Sequence, residues 1–490
     1  MLLWFVVLYL IVSVGIGLWA AMRVRNSRDY IVAGRSLPLH INMATVFATW
    51  FGAETVLSVS ATFARDGLGG VVADPFGSSF CLVLVALFFA RVFYSMDLLT
   101  IGDFYRKRYD RKVEVVTSLA ITASYLGWTS AQLTALGLAF SVLSQGAISL
   151  SAGIVLGMAV VLVYTVWGGM WSVALTDLFQ SAMIIGGLTV IAFLVSDMAG
   201  GADRVIAAAA ESGKFAFWPK GGSREWLAFL AAWLTLALGS IPQQDVFQRV
   251  TSARNADTAV RGTLYGGIAY FLFAGVPMFI AYSAVLLEPA TAGLFKSDDA
   301  REIQRILPEL ILGRTPMWAQ GLFFGALLSA ILSTASGALL APTTLFTENV
   351  LRTFFPGMSD RRFLATLRVV LVAFATVALV FALNSRSTMY EMVQNAYKVT
   401  LVGAFVPLAA GVFWRRATTQ GALLSFVLGI ASWLLLEIFA SDAVVPPQLA
   451  GLLASVAGMI AGSLAPQWYG APRDASQAGN ALTNSSTKRE

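Results

Sequence analysis

The sequence predicts an all-α integral membrane protein, and three observations carry this prediction. Hydrophobic residues make up 57% of the 490 residues and charged residues only 12%, roughly half the charged share usual in soluble domains. The apolar residues recur in runs of about 20, the length at which a helix crosses a hydrocarbon core of about 30 Å. Because these runs are long and continuous, and not short and alternating, they predict spanning helices and exclude a β-barrel.

Hydropathy along the chain predicts about 13 spans. They are expected near 2–22, 39–63, 74–98, 113–142, 148–167, 171–198, 226–245, 262–288, 317–340, 364–385, 391–414, 420–440 and 446–466. Between them, the longest predicted loops are 199–225, 289–316 and 341–363, and the polar tail 467–490 is predicted to be disordered.

Basic residues concentrate in alternate loops. Those loops contain Arg23, Arg25, Arg28 and Arg35; Arg106, Lys107, Arg108, Arg111 and Lys112; Arg249, Arg254 and Arg261; Arg352, Arg361 and Arg362; and Arg415 and Arg416. Loops rich in Lys and Arg stay on the cytoplasmic side. We therefore expect an extracellular N-terminus and a cytoplasmic C-terminus in a bacterial inner membrane.

The residue types exclude several other functions. The single cysteine, Cys81, cannot form an intramolecular disulfide, and the single histidine, His40, belongs to no metal-binding cluster. No nucleophile–base pattern indicates an enzyme or an organic cofactor. The net charge of +6 lies in the loops between spans, so it predicts membrane topology and not nucleic-acid binding.

The second span combines a glycine with polar groups at membrane depth. Thr49, Gly52, Glu54 and Thr55 lie within seven residues of one another. An unwound helix at this point could bind a cation through freed carbonyl groups. Alternatively, Gly52 serves close packing and Glu54 pairs with a neighbouring helix.

Two further spans contain polar residues with two interpretations each. Ser329, Ser333 and Ser336 are three to four residues apart and share one helix face with Gly337, which fits either sodium ligation or close helix packing. Asp177 lies beside Thr176 and Gln180, as part of a membrane site or as an interfacial cap. Among the aromatic residues, Trp50, Trp128 and Trp233 fit a cage for a cationic solute or ordinary packing.

Four blocks of the sequence resemble the solute:sodium symporter family, which includes bacterial proline, pantothenate and sialic acid carriers and animal glucose and choline transporters. The blocks are SRDYIVAGRSLP at 27–38, GGMWSVALTDLFQ at 168–180, GSIPQQDVFQR at 239–249 and GVFWRRATTQGA at 411–422. The resemblance implies a LeuT-type fold of two inverted five-helix repeats. The implied division is a first flanking helix and loop at 1–38, repeats at 39–198 and 226–414, flanking helices at 415–466, and the tail at 467–490.

The resemblance also implies a sodium site between the second and ninth spans. Its ligands would be the carbonyl groups of Ala48, Phe51 and Ala330 and the hydroxyl groups of Ser333 and Thr334. Some members bind a second sodium ion, and Asp177, Ser333 and Ser336 match that pattern. Gly337 replaces a serine of the pattern, so one sodium ion is expected and a second is left open.

The implied substrate site lies beside this sodium site. Its candidate residues are Trp50, Glu54, Thr55, Phe76, Ser79, Trp128, Gln132 and Gln243. Trp50 and Trp128 match aromatic cage positions of the choline branch, but Gln243 replaces a tryptophan and a tyrosine is missing near Ser79. Glu54 favours a solute with an ammonium or other donor-rich group, such as an amino acid or an amine.

Together these features predict a sodium-coupled symporter that works by alternating access. A proton-coupled symporter, with Asp177 or Glu54 as the proton carrier, and a transporter-like membrane sensor are the alternatives. The expected partners are sodium, a small solute and membrane lipid, with no nucleic acid. The oligomeric state is left open, and a monomer is compatible with the sequence.

Overall fold

In the computed structural model, residues 2–288, 293, 300–355, 357–385 and 389–468 are described. The ordered elements in these ranges are helices. They are α1 Leu2–Ala21, α2 Ser27–Val32, α3 Leu39–Trp50, α4 Glu54–Asp66, α5 Val72–Ser95, α6 Ile101–Arg108, α7 Arg111–Leu143, α8 Leu150–Met198, α9 Ala202–Glu211, α10 Ser223–Gly239, α11 Gln244–Ser252, α12 Ala256–Leu287, α13 Ala300–Arg314, α14 Met317–Phe354, α15 Asp360–Asn384, α16 Glu391–Phe413, α17 Thr419–Phe439 and α18 Pro447–Leu464.

The number of spans agrees with the sequence prediction. Within the described ranges, ten helices are long and apolar enough to cross a membrane, and the bent pairs α3/α4 and α10/α11 bring the number to twelve. Helix α8 has 49 residues, about 74 Å at 1.5 Å per residue, more than twice the thickness of a hydrocarbon core. It is interrupted at Gly169, with φ 51° and ψ −137°. We therefore count α8 as two crossings, which gives the predicted thirteen.

The basic loops meet at one end of the helix bundle. Backbone hydrogen bonds of 3.0 Å join Leu37 to Ser252 and Arg254, and the Ser27 amide donates to the Asp360 carboxylate at 3.2 Å. Further contacts join the remaining basic loops: Arg111 to Thr353, and Arg108 to Gly411 and Trp414. The loops therefore alternate between two ends of the bundle, as the predicted topology requires.

One predicted loop boundary is wrong. The ninth span was expected to end at 340 with a loop at 341–363, but α14 continues to Phe354. The Thr343, Thr344 and Thr347 hydroxyl groups donate to carbonyl oxygens of their own helix at 2.7–2.9 Å. Polar residues satisfied in this way do not end a helix, so the polar composition of 341–354 was misleading.

Two other predicted loops contain helices. Helix α9 occupies part of 199–225 and turns Val205 and Ala209 into the protein. Helix α13 occupies part of 289–316, and its Gln304 donates to the Ser58 hydroxyl of α4 at 3.1 Å. Residues 289–292 and 294–299, and the predicted disordered tail from 469 onward, lie outside the described residues.

Helix α14 forms the centre of the molecule. Nearly every side chain from Phe323 to Leu345 is buried, and α14 packs against α3, α7, α8 and α11. The predicted division of the chain into inverted repeats begins at 39 and 226, close to where the bent pairs begin at Leu39 and Ser223. These two bent pairs and α14 position the candidate site.

Candidate functional site

The site is built around the break between α3 and α4. Helix α3 ends at Trp50, α4 begins at Glu54, and their axes differ by 55°. A side chain at Gly52 would place its Cβ 2.8 Å from the Thr334 hydroxyl, so only glycine allows α14 to approach this closely. The last carbonyl groups of a helix lack partners in their own helix, and those of α3 face α14.

Hydroxyl groups of α14 contact the end of α3. Ser333 Oγ donates to the Ala48 carbonyl at 2.8 Å and to the Ala330 carbonyl at 3.0 Å. Thr334 Oγ1 lies 3.4 Å from the Ala48 oxygen and 3.1 Å from the Thr49 oxygen. The structure thus brings together four of the five predicted sodium ligands.

The fifth predicted sodium ligand lies at the break itself. Phe51 follows the last residue of α3, and its backbone is non-helical, with φ −88° and ψ 72°. The Thr49 carbonyl was not predicted as a member of the set, although it lies within hydrogen-bonding distance of Thr334. Carbonyl and hydroxyl oxygens are ligands for hard cations, so these groups are suited to bind one.

Glu54 begins α4 and is bound to α7. Its carboxylate accepts hydrogen bonds from Trp128 Nε1 at 3.1 Å and from Gln132 Nε2 at 2.6 Å. The oxygen of Gln132 accepts from the Ala53 amide at 3.2 Å. These contacts match the structural interpretation of Glu54, in which the acid pairs with a neighbouring helix, and they fix the first turn of α4.

Glu54 also faces a small cavity. Trp50, Glu54 and Asp74 line one part of it, and Leu236, Val393, Gln394 and Tyr397 line the rest. Its open volume is about 10 Å³, close to the space that one water molecule needs. A solute can enter only if the surrounding helices move apart.

Aromatic rings enclose this cavity. The rings of Trp50 and Tyr397 lie parallel within 9°, with their centroids 6.3 Å apart. The Trp128 ring lies 6.0 Å from that of Tyr397. Trp50 and Trp128 were predicted from the sequence, whereas Tyr397 was missed because a single tyrosine in an amphipathic helix has no distinguishing signal.

A second group of polar residues surrounds Asp74. The Tyr270 and Ser78 hydroxyl groups both donate to Asp74 Oδ1, that of Ser78 at 2.5 Å. Thr55 Oγ1 lies 3.1 Å from the Tyr270 oxygen. Of these residues, only Thr55 was predicted. Asp74 is the first residue of a predicted span, a position where acidic residues commonly contact water, so the sequence did not indicate that it is buried.

Of the eight predicted substrate residues, only Trp50 and Glu54 line the cavity. Trp128 and Gln132 donate hydrogen bonds to Glu54, and Thr55 contacts Tyr270. The other three lie elsewhere. Phe76 and Ser79 line a separate apolar pocket between α5, α10 and α12, where the Phe76 ring contacts Phe217 and Phe271 with centroids 4.5 and 5.5 Å away. Trp233 lines the same pocket. Gln243 lies at the α10/α11 break, where its amide donates to hydroxyl groups of α7 and α16.

The possible second sodium site contains a buried arginine. Asp177 accepts a hydrogen bond from Thr45, and Ser336 Oγ donates to the Ser333 carbonyl at 2.9 Å. A Cβ atom at Gly337 would lie 2.6 Å from Nη2 of Arg249. The guanidinium group therefore occupies space that a larger residue at Gly337 would fill, and its Nε donates to the Thr49 hydroxyl at 3.0 Å.

A family comparison decides the class of this protein. The model of the sodium:solute symporter family matches residues 30–429, which include the bent pairs, α14 and the cavity. The chain belongs to the sodium:solute symporter family. Because its helices are apolar and long enough to cross a membrane and its family consists of symporters, the protein is a multi-pass membrane transporter.

Relatives of this chain in the sodium:solute symporter family are named for different solutes. The human high affinity choline transporter 1 is 27% identical over 444 residues, 87% of this chain and 74% of the relative. The sodium/glucose cotransporter of Vibrio parahaemolyticus is 23% identical, over 88% of this chain and 84% of the relative. The relatives are transporters and not enzymes, and sodium coupling is common to the family.

Solved structures confirm the LeuT-type fold of this symporter. A sodium-coupled sialic acid symporter, in a substrate-bound outward-open state, superposes with a TM-score of 0.80 at 18% identity, over 95% of this chain and 98% of that chain. The nucleobase-cation-symport-1 family transporter Mhp1, in a closed conformation, has a TM-score of 0.59 at 15% identity, over 93% of this chain and 98% of that chain.

Proposed function

We propose that this symporter couples sodium entry to the uptake of a small organic solute that carries an ammonium group. The observation that carries the proposal is the adjacency of two features at one helix break. The Ser333 and Thr334 hydroxyl groups lie against the Ala48 carbonyl, while Glu54, three residues after Phe51, faces the aromatic cavity. One break thus serves both the ion and the solute.

The lining of the cavity favours a cation. Trp50 and Tyr397 present aromatic rings beside the carboxylates of Glu54 and Asp74. Ring faces and carboxylates both attract ammonium groups. Among the described lining residues there is no lysine or arginine, so the cavity offers a carboxylate-bearing solute no cationic side chain.

The start of α4 also disfavours an acidic solute. The N-terminus of a half-helix can bind a substrate carboxylate in transporters of this fold. Here the Ala53 amide already donates to Gln132 at 3.2 Å, and the negatively charged side chain of Glu54 follows directly. We therefore favour an amine over an amino acid, in line with the choline transport named for one relative.

The transport cycle follows from the closed cavity. Sodium binding between α3 and α14 would stabilise the arrangement in which the cavity is complete, and the solute would then bind. A ligand shifts such an equilibrium only by its differential affinity for the two states, so sodium must bind one state more tightly. Each sodium ion entering contributes about 2.3 kcal/mol per 100 mV of inside-negative potential.

The orientation completes the proposal. The ends of the bundle differ in charge, and the basic end is proposed to face the cytoplasm of a bacterial cell. Solute and sodium would enter from the other end. Membrane lipid surrounds the spans, and a single chain contains every residue named above.

Transport assays with purified protein in liposomes test the function. Uptake of radiolabelled amines, amino acids and sugars is measured with an inward sodium gradient, and again with potassium replacing sodium. We expect uptake of an amine that depends on sodium at constant pH. Uptake driven by a proton gradient without sodium would favour the proton-coupled alternative and contradict the proposal.

A further inference from the structure

Four carboxylates are buried around the two helix breaks, and they differ in their electrostatic surroundings. They belong to Glu54, Asp74, Asp177 and Asp245, each at most 6% exposed. The positive charge of Arg249 acts on both Asp177 and Asp245. Among the described residues, none of the four carboxylates takes part in an ion pair, and no cationic side chain acts on Asp74 or Glu54.

Burying a carboxylate without a cation is costly. Arg249 supplies one permanent positive charge on the side of Asp177 and Asp245, which meets this requirement in part. Glu54 and Asp74 need cations from outside or must take up protons. The proposed ammonium solute would balance one of the two, and the aromatic cavity beside Glu54 places it there. Of the two carboxylates at the cavity, that of Asp74 then remains without a cation.

The surroundings of Asp74 are suited to a metal ion. Its Oδ1 is contacted by the Ser78 hydroxyl at 2.5 Å and by the Tyr270 hydroxyl. Thr55 Oγ1 lies 3.1 Å from the Tyr270 oxygen and 3.4 Å from the Trp50 carbonyl. Five oxygen atoms thus lie in one connected group, and they include a carboxylate, three hydroxyl groups and a carbonyl at a helix end.

This group is rigidly placed. Asp74, Ser78, Thr55 and Tyr270 are at most 5% exposed, and they come from α4, α5 and α12. Hydroxyl groups can rotate their hydrogen away and present a lone pair, so the same oxygens that now donate can ligate a cation. Carboxylate, hydroxyl and carbonyl oxygens are ligands for hard cations and not for soft ones.

We propose that a second sodium ion binds beside the solute cavity at Asp74. Its ligands are the Asp74 carboxylate, the hydroxyl oxygens of Thr55, Ser78 and Tyr270, and the Trp50 carbonyl oxygen. This inference rests on the proposed function. It places the second ion away from Asp177, where the guanidinium group of Arg249 provides a positive charge and lies against Gly337.

The position has a consequence for coupling. Asp74 and Trp50 line the same cavity as Glu54, so the second ion lies next to the bound solute. An ion and an ammonium group together balance the two carboxylates, and neither alone does. Solute and second sodium ion therefore bind cooperatively, each raising the affinity for the other by the same factor.

The ratio of radioactive sodium to solute taken up by liposomes tests the proposal. The unaltered protein is expected to move two sodium ions per solute, with a sodium Hill coefficient near two. Asp74→Asn is expected to lower the ratio to one and to raise the half-saturating sodium concentration about tenfold, which is 1.4 kcal/mol. Asp245→Asn removes a buried carboxylate that Arg249 balances, and this control variant should keep the two-to-one ratio.

Milder variants cover the case in which Asp74→Asn does not fold. Ser78→Ala and Thr55→Val each remove one hydroxyl ligand and keep the charge, and both should raise the sodium requirement while the solute affinity at saturating sodium stays. A ratio of one in the unaltered protein, or one sodium ion with one proton, overturns the inference and leaves the proposed function standing. Uptake without any sodium dependence overturns the proposed function itself.

Discussion

The rings of Trp50 and Tyr397 are parallel, with their centroids 6.3 Å apart, although one belongs to the first broken helix and the other to α16. The pair closes one side of the cavity that Glu54 and Asp74 also line. A cation between or beside two ring faces gains roughly 0.5–2 kcal/mol for each well-placed ring. Under the proposed function, the ring pair is therefore expected to contribute to solute affinity as well as to packing.

Replacement of Trp50 by leucine should weaken solute binding. Loss of one ring face is expected to raise the KM for an amine about 3- to 30-fold, the range that corresponds to roughly 0.5–2 kcal/mol. Trp218→Leu is the matched control, since this tryptophan is 63% exposed and lines the separate apolar pocket. Equal effects of the two substitutions would show that the Trp50–Tyr397 pair has no part in solute binding.

Removal of the Ser333 and Thr334 hydroxyl groups should weaken sodium binding and should not alter solute binding directly. The double variant Ser333→Ala with Thr334→Ala loses both oxygens that lie against the Ala48 carbonyl. We expect the half-saturating sodium concentration of uptake to rise at least tenfold. Thr343→Ala is the control on the same helix, because its hydroxyl bonds only to α14 carbonyls. Normal sodium dependence in the double variant would disprove the site.

Substitution of Glu54 by glutamine should lower the affinity for cationic solutes more than the affinity for uncharged ones. The neutral side chain keeps the size of the acid but loses the charge that attracts an ammonium group, and its own NH2 group competes with that of Gln132. Affinity for amines is expected to fall at least tenfold, while binding of an uncharged analogue of the same shape changes little. Thermal-shift titrations with sodium present measure both. Unchanged amine affinity would remove the basis for a cationic solute.

Arg249 should be required for stability because its buried guanidinium group joins α3 and α11, with Nε donating to the Thr49 hydroxyl at 3.0 Å and Nη1 to the Asp245 carbonyl at 3.4 Å. Arg249→Gln removes the positive charge on the side of Asp177 and Asp245 and weakens these hydrogen bonds, and a hydrogen bond to a charged group contributes about 1.5–3 kcal/mol. We expect a lower unfolding temperature in detergent and partial recovery in the double variant with Asp177→Asn. If the second substitution lowers the stability further, the two charges do not compensate each other.

Gly169 should tolerate no side chain. Its φ of 51° lies in the left-handed region, and an added Cβ would lie 2.4 Å from the Tyr30 carbonyl. Gly169→Ala is expected to reduce the amount of folded protein, as measured by size-exclusion profiles after extraction. Gly186→Ala provides the control in the same helix, since no atom lies within 4 Å of the added methyl group. A normal profile for Gly169→Ala would contradict the assigned break.

The fold could be predicted because span length and loop charge are local properties of the sequence. The contact of Ser333 and Thr334 with the Ala48 carbonyl was also predictable, since Ser333 belongs to a face with helical spacing and the family blocks placed both residues opposite Ala48. Their role as sodium ligands stays a prediction. Tyr397 and Tyr270 could not be found in this way, because packing between distant helices brings them to the site. Asp74 was missed for a related reason: an acid at the end of an apolar run usually contacts water.

The length of α14 shows a different limit. Thr343, Thr344 and Thr347 resemble loop residues by composition, and only the hydrogen bonds to their own helix reveal that the span continues. Phe76 and Ser79 were assigned to the substrate site by position in the family pattern. These two residues follow Asp74 by two and five positions in the sequence. In the structure they line the apolar pocket and not the cavity that Asp74 lines.

The break at Gly169 also bears on how the protein is made. The two crossings of α8 share a single helical element of 49 residues with no loop between them, so the ribosome releases them in immediate succession. Because no hydrophilic loop separates the two crossings, we expect them to enter the lipid together. If the break at Gly169 did not form and one crossing replaced two, every later span would have the opposite orientation.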